Sequence, residues 1–237
     1  MLTLDRDRQI VLTVGRFGQL TTEHLASLHF HGITSRTPLD RALKRLVERR
    51  YLARIERRMV GGTGAGSGQY VYQLGSAGWT LVGRLGRYYP YRAINYHTLA
   101  IADAYIELLE LERSGRIEIA GLLTEPDSWR TIAGVELRPD LYVEVYKHFP
   151  ERTLALWLEV DMGTERPKQI KDKLAMYWHA YENSDETTMP PDSVVAFLSP
   201  DEERAKALRW IIGQGDPEAQ RLFGAFTIAN FAPILLG

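Results

Sequence analysis

Three carboxylates give the clearest chemical signal in this chain of 237 residues: Asp140, Glu159 and Asp161. Asp140 closes the triplet Arg138-Pro139-Asp140, just before the apolar run 141–145. Glu159 and Asp161 follow the run Leu154-Ala155-Leu156-Trp157-Leu158 and precede Gly163. Carboxylates at the ends of adjacent strands are what metal-dependent phosphodiester hydrolysis uses to hold Mg²⁺ or Mn²⁺. The ion polarises the phosphate and activates water. Asp140, Glu159 and Asp161 are therefore the candidate metal ligands.

These acids need two strands and a turn to bring them together. Val, Leu and Tyr dominate 141–145, and both runs read as strands. Gly163 breaks the second. Thr164 is a suitable N-cap and Pro167 is tolerated in a first helical turn. Ile170, Leu174, Tyr177 and Tyr181 then recur at helical spacing over about 165–182. Around this unit the pattern predicts a long helix from Leu99 to near Gly115, strands at 117–123, 135–145, 153–161, 194–198 and 225–228, a turn at 125–129, a polar loop at 185–192 and a helix at 201–213. That order makes an α/β domain with a mixed sheet.

Charge divides the chain. Residues 1–95 hold 15 Lys/Arg against six Asp/Glu, a net +9, and residues 96–237 a net −10. The basic block suits a polyanion. Within it, Ile10, Val11, Val14 and Phe17 mark one helix, and Thr21-Thr22-Glu23 opens a short second one. After a turn at 31–34, Ser35 is placed to cap a third helix. Leu39, Ala42, Leu43, Leu46 and Val47 form its apolar stripe, with Arg36, Thr37, Arg41, Lys44 and Arg45 off it. A short helix, a turn and a basic amphipathic helix make a helix-turn-helix. Strands at 51–55 and 70–74 flank five glycines within 61–68, a β-hairpin similar to the wing of winged-helix domains. Arg54, Arg57 and Arg58 are placed to meet phosphates while the third helix enters the major groove of double-stranded DNA. The glycine run lacks the Lys-Ser/Thr ending of a P-loop. Trp79, Leu81, Val82 and Leu85 predict a closing helix. Arg84, Arg87, Tyr88, Tyr89, Tyr91 and Arg92 follow as a basic aromatic connector, read as a packed linker, with base stacking the alternative.

The acidic region resembles the PD-(D/E)xK nuclease superfamily through Pro139-Asp140 and, on the next strand, Glu159-Val160-Asp161. Glu107, Glu110 or Glu125 would supply a further acid. Asp161 departs from the pattern, because the superfamily has lysine there. The resemblance nominates Lys173, on the following helix, as the displaced catalytic lysine, giving a catalytic set of Asp140, Glu159, Asp161 and Lys173. Most of the chain further resembles the replication-relaxation proteins, in its winged helix, its Arg-Pro-Asp segment, and Leu158–Pro167 followed by Lys173-Leu-x-x-Tyr177. That resemblance implies a role in plasmid or mobile-element replication and DNA relaxation.

The expected architecture is α+β or α/β: a winged helix-turn-helix over 1–94, then a mixed-sheet, restriction-endonuclease-like domain over 95–237. A transcription regulator with a non-catalytic dimerisation or sensing domain is the competing reading, and a homodimer suits either. A relaxase would need a His-x-His metal pair or a tyrosine nucleophile. His29 and His31 fall in the helix-turn-helix, and Tyr88, Tyr89 and Tyr91 have no metal cluster nearby. Cysteine is absent, which excludes disulfides and thiolate metal sites. No apolar run reaches membrane-span length and no leader is recognisable, so the expected location is cytoplasmic with no membrane partner.

Overall fold

The computed structural model describes residues 5–59, 69–185 and 187–236, the side chains of 56–59 and 69 excepted. The glycine-rich stretch 61–68 and the side chains of Arg57 and Arg58 lie outside the described residues. The chain divides into two compact units, residues 1–102 and 103–237.

The first unit runs α1 (Asp5–Phe17), β1 (Gln19–Thr21), α2 (Thr22–His29), α3 (Thr37–Glu48), β2 (Leu52–Met59), β3 (Gln69–Leu74) and α4 (Ser76–Leu81). Its sheet has the order β1-β3-β2, antiparallel throughout. Ile10, Val14, Leu20, Leu25, Leu46 and Val71 are fully buried, which closes the helices onto that sheet. Thr21 caps α2 as the sequence suggests: its Oγ1 accepts from His24 N at 3.0 Å, and His24 Nδ1 accepts from Thr21 N at 3.3 Å. The predicted closing helix is only the six residues of α4. Gly83 ends it in the left-handed region at φ 74°, and Leu85 is 92% exposed.

The long helix α5 (Tyr96–Arg113) precedes β4 (Ile117–Thr124), β5 (Arg130–Ile132), β6 (Val135–Leu137), β7 (Leu141–His148), β8 (Glu151–Val160), α6 (Pro167–Asn183), β9 (Ser193–Ser199), α7 (Glu202–Ile212), β10 (Phe223–Thr227) and α8 (Phe231–Leu236). Five strands form one sheet in the order β10-β9-β8-β7-β4. β4, β7 and β8 pair antiparallel, while β8, β9 and β10 run parallel. Parallel neighbours need long crossovers, which α6 and α7 supply. The fold is therefore α+β with a mixed sheet.

The predicted strand 135–145 is two strands. Pro139 has no N–H to give a ladder, so the run breaks at Arg138-Pro139-Asp140. Ser128 Oγ donates to Pro139 O at 2.7 Å and pins the break. β6 instead pairs with β5 across Ala133-Gly134, both at positive φ, the geometry of a tight two-residue turn. β8 is buried from Leu154 to Val160 on both faces, as befits the centre of the sheet. Trp157, Val195, Phe197 and Ala225 pack with Ile170 and Tyr177 of α6 and Leu208 and Ile211 of α7. Each such large side chain contributes about 2 kcal/mol through burial.

Candidate functional site

The register that pairs Leu141 with Leu158 sets Asp140 opposite Glu159. Alternation along β8 puts Glu159 on the same face as Trp157, toward α6. Both carboxylates are buried, at 7% and 4% exposure. Asp140 Oδ2 accepts from Val160 N at 2.6 Å. Glu159 is held from both sides, since its Oε1 accepts from Tyr177 OH at 2.6 Å and its Oε2 from Lys173 Nζ at 2.7 Å. Lys173 and Tyr177 stand four apart on α6 and so share a face. Lys173 Nζ also donates to Glu165 Oε1 at 2.7 Å. Burial pushes the Glu159 carboxyl up to about 7, with Asp140 adding repulsion against the pull of Lys173 and Tyr177. Burial also works against the Lys173 charge, but Glu159 and Glu165 together outweigh it and raise its pKa.

Asp161 is turned to different partners. Its Oδ1 accepts from Gly163 N at 2.7 Å, and Gly163 takes a left-handed φ of 82° that favours glycine. Its Oδ2 accepts from Arg204 Nε and Nη2 at 3.0 and 2.5 Å. Arg204 Nη2 donates as well to Glu165 O at 2.7 Å, which closes a chain of contacts through Lys173 back to Glu159. Asp201 caps α7 by accepting from Arg204 N at 2.8 Å and so orients that first turn. The helix α6 begins at Pro167 rather than after Thr164, because Gln169 Oε1 accepts from Arg166 N at 2.8 Å.

Asp140, Glu159 and Lys173 thus stand together, with Asp161 beside them but paired to Arg204. As arranged, these residues do not fit a divalent cation. Both oxygens of Glu159 and both of Asp161 are already engaged. Among the described residues, Glu165 Oε2 is the buried carboxylate oxygen without a hydrogen-bond partner. Among the described residues no three acidic or histidine side chains gather as metal ligands would. The other nominated acids have local partners: Glu110 pairs with Arg113, and Glu125 Oε1 accepts from Trp129 Nε1 at 3.0 Å. Burial raises the Glu107 pKa.

In the basic unit, α3 buries Leu39, Ala42, Leu43 and Leu46 and leaves Arg36, Thr37, Arg41 and Lys44 exposed. Arg36 Nη2 reaches Glu23 at 2.5 Å, and Lys44 stands 4.0 Å from Glu48. Arg45 points elsewhere, donating through Nε and Nη2 to the buried Asp7 of α1, both at 2.8 Å. Arg54 lies over the Tyr70 ring at 4.0 Å. His29 Nε2 contacts Thr13 Oγ1 at 3.1 Å, and burial lowers its pKa to about 4, so it is neutral at pH 7.

Sequence reasoning missed Arg204, Glu165 and Tyr177 as members of the acidic cluster. Tyr177 was legible as an apolar position of the helix and as the end of the Lys173-Leu-x-x-Tyr177 motif, not as a partner of Glu159, and nothing at the sequence level links Arg204 to an acid 43 residues away. The fold and cluster together define an α+β protein that couples a basic helix-and-hairpin unit to a mixed sheet with a buried acid–base network. A replication-relaxation family model matches residues 13–190, most of the chain, and the protein belongs to that family. No curated protein and no solved structure matches the chain. Among the described residues no helix is long and apolar enough to cross a membrane.

Proposed function

We propose that the first unit is a winged helix-turn-helix that binds double-stranded DNA, and that the protein acts on DNA in plasmid or mobile-element replication. The observation that carries this is α3. It buries one apolar stripe and leaves Arg41 and Lys44 exposed in a region of net charge +9. Phosphate contacts by such side chains release counterions, so affinity falls steeply with salt. In anisotropy titrations with duplex DNA, Arg41→Ala and Lys44→Ala each weaken binding and flatten the salt dependence, with folding unchanged. Binding that is indifferent to salt and to both substitutions refutes the reading.

In this reading the second unit is a PD-(D/E)xK-like core whose acids are neutralised internally, Glu159 by Lys173 and Asp161 by Arg204. An internal ammonium on Glu159 opposes a metal ion at the same oxygens. Supercoiled plasmid incubated with the protein and Mg²⁺ or Mn²⁺ therefore stays intact. The competing reading, a metal-dependent nicking nuclease with Asp140, Glu159, Asp161 and Lys173 as its catalytic set, draws support from the meeting of Asp140, Glu159 and Lys173. Nicking that Asp140→Ala or Glu159→Ala abolishes, with duplex binding retained, decides for that reading.

A further inference from the structure

The segment after α4 is held as an extended strap by two buried glutamines. Gln19 of β1 and Gln73 of β3 are register partners, 2% and 4% exposed. Gln73 takes both polar groups of one residue: its Oε1 accepts from Tyr91 N at 2.7 Å and its Nε2 donates to Tyr91 O at 2.9 Å. Gln19 does the same two and four residues on. Its Nε2 donates to Ala93 O at 3.0 Å and its Oε1 accepts from Asn95 N at 2.8 Å. The two amides thus act as a strand edge made of side chains. Upstream, Tyr88 OH donates to Leu74 O at 2.9 Å. The segment from 88 to 95 is therefore anchored by one side chain, at Tyr88, and by its main chain at 91, 93 and 95.

This anchoring presents rings that the core does not use. Tyr89 is 67% exposed and Tyr91 59%. Arg84, Arg87 and Arg92 are exposed along the same stretch, and Arg87 lies 5.4 Å from the centre of the Tyr89 ring. Large aromatics left in water on a rigidly tied backbone are a poor solution for a packed linker. They are a good one for a stacking platform, because the ordering cost is met before any ligand arrives. Arginines beside the rings track a phosphate backbone. Stacking needs a free base face, which a closed duplex does not offer along its length.

We propose that the strap at residues 84–92 is a single-stranded DNA contact, with Tyr89 and Tyr91 stacking on unpaired bases and the arginines meeting the phosphates. Opposite charge and exposed rings favour this occupant over a protein partner. The site is separate from the residues assigned above to duplex binding, so each can fail alone.

The test uses the full chain and a fluorescein-labelled oligo(dT), read by anisotropy at fixed salt beside a labelled duplex. The double variant Tyr89→Ala/Tyr91→Ala loses on the order of 10- to 100-fold in oligo(dT) affinity. Tyr89→Phe/Tyr91→Phe keeps it, since the ring and not the hydroxyl stacks. Duplex affinity and thermal unfolding stay at wild-type values in both. The proposal is overturned if wild-type protein does not bind oligo(dT), if the alanine variant binds it undiminished, or if duplex and single-strand affinity fall together.

Discussion

Arg204 holds Asp161 with two of its donors, and the aspartate is only 2% exposed at its side chain. A paired buried carboxylate tolerates its position, whereas an unpaired one is costly. Arg204→Ala therefore destabilises the second unit by about 3 kcal/mol. Arg204→Lys recovers little of that, because one ammonium cannot make the fork to Asp161 and also reach Glu165 O. Denaturant unfolding of the two variants checks both statements, and equal stability of wild type and Arg204→Ala would remove the ion pair from any structural role. The negative charge of Asp161 is met by a cation supplied from α7.

At the level of elements, α1 and α3 are clasped by Arg45 and Asp7, a contact that takes one arginine out of the basic set. Asp7 is 3% exposed at its side chain and Arg45 37%, so the pair is half-buried. Arg45→Ala leaves a buried carboxylate in α1 and lowers stability by about 2 kcal/mol, less than for a fully buried pair. Its duplex affinity, measured where the variant is still folded, changes far less than that of Arg41→Ala. The sequence separates these two arginines poorly. Both lie off the apolar stripe of the same helix, and only the packing of α1 tells them apart. Elements marked by helical periodicity, such as α3 and α6, or by an unbroken apolar run, such as β8, were legible. So was the pair Asp140 and Glu159, because strand ends flanked by Pro139 and Gly163 announce themselves. The three-residue strands β1 and β5 were not legible, since so short a run carries no period, and β6 was legible only as part of one longer strand with β7. Gln19 and Gln73 read as ordinary strand polars, and their task becomes visible only against the backbone they hold.

At the level of the whole molecule, the order β10-β9-β8-β7-β4 has a consequence for where the chain can be cut. The family match ends at residue 190, three positions before β9 begins. A fragment stopping there keeps β8 but loses the neighbour paired with it from Ala155 to Val160. It also loses Phe197 of β9 and all of α7, and with them Arg204 and side chains that pack with Trp157. A strand buried from Leu154 to Val160 then becomes a bare edge, with unanswered amide and carbonyl groups along a surface that invites another chain. Residues 1–190 expressed alone are expected to run as aggregates or swapped oligomers in size-exclusion chromatography, with the full chain free of them at equal concentration. A well-behaved monomer would show that β8 tolerates an open flank. The reach of family resemblance and the reach of cooperative folding are different lengths in this protein, and solubility is where the difference is felt.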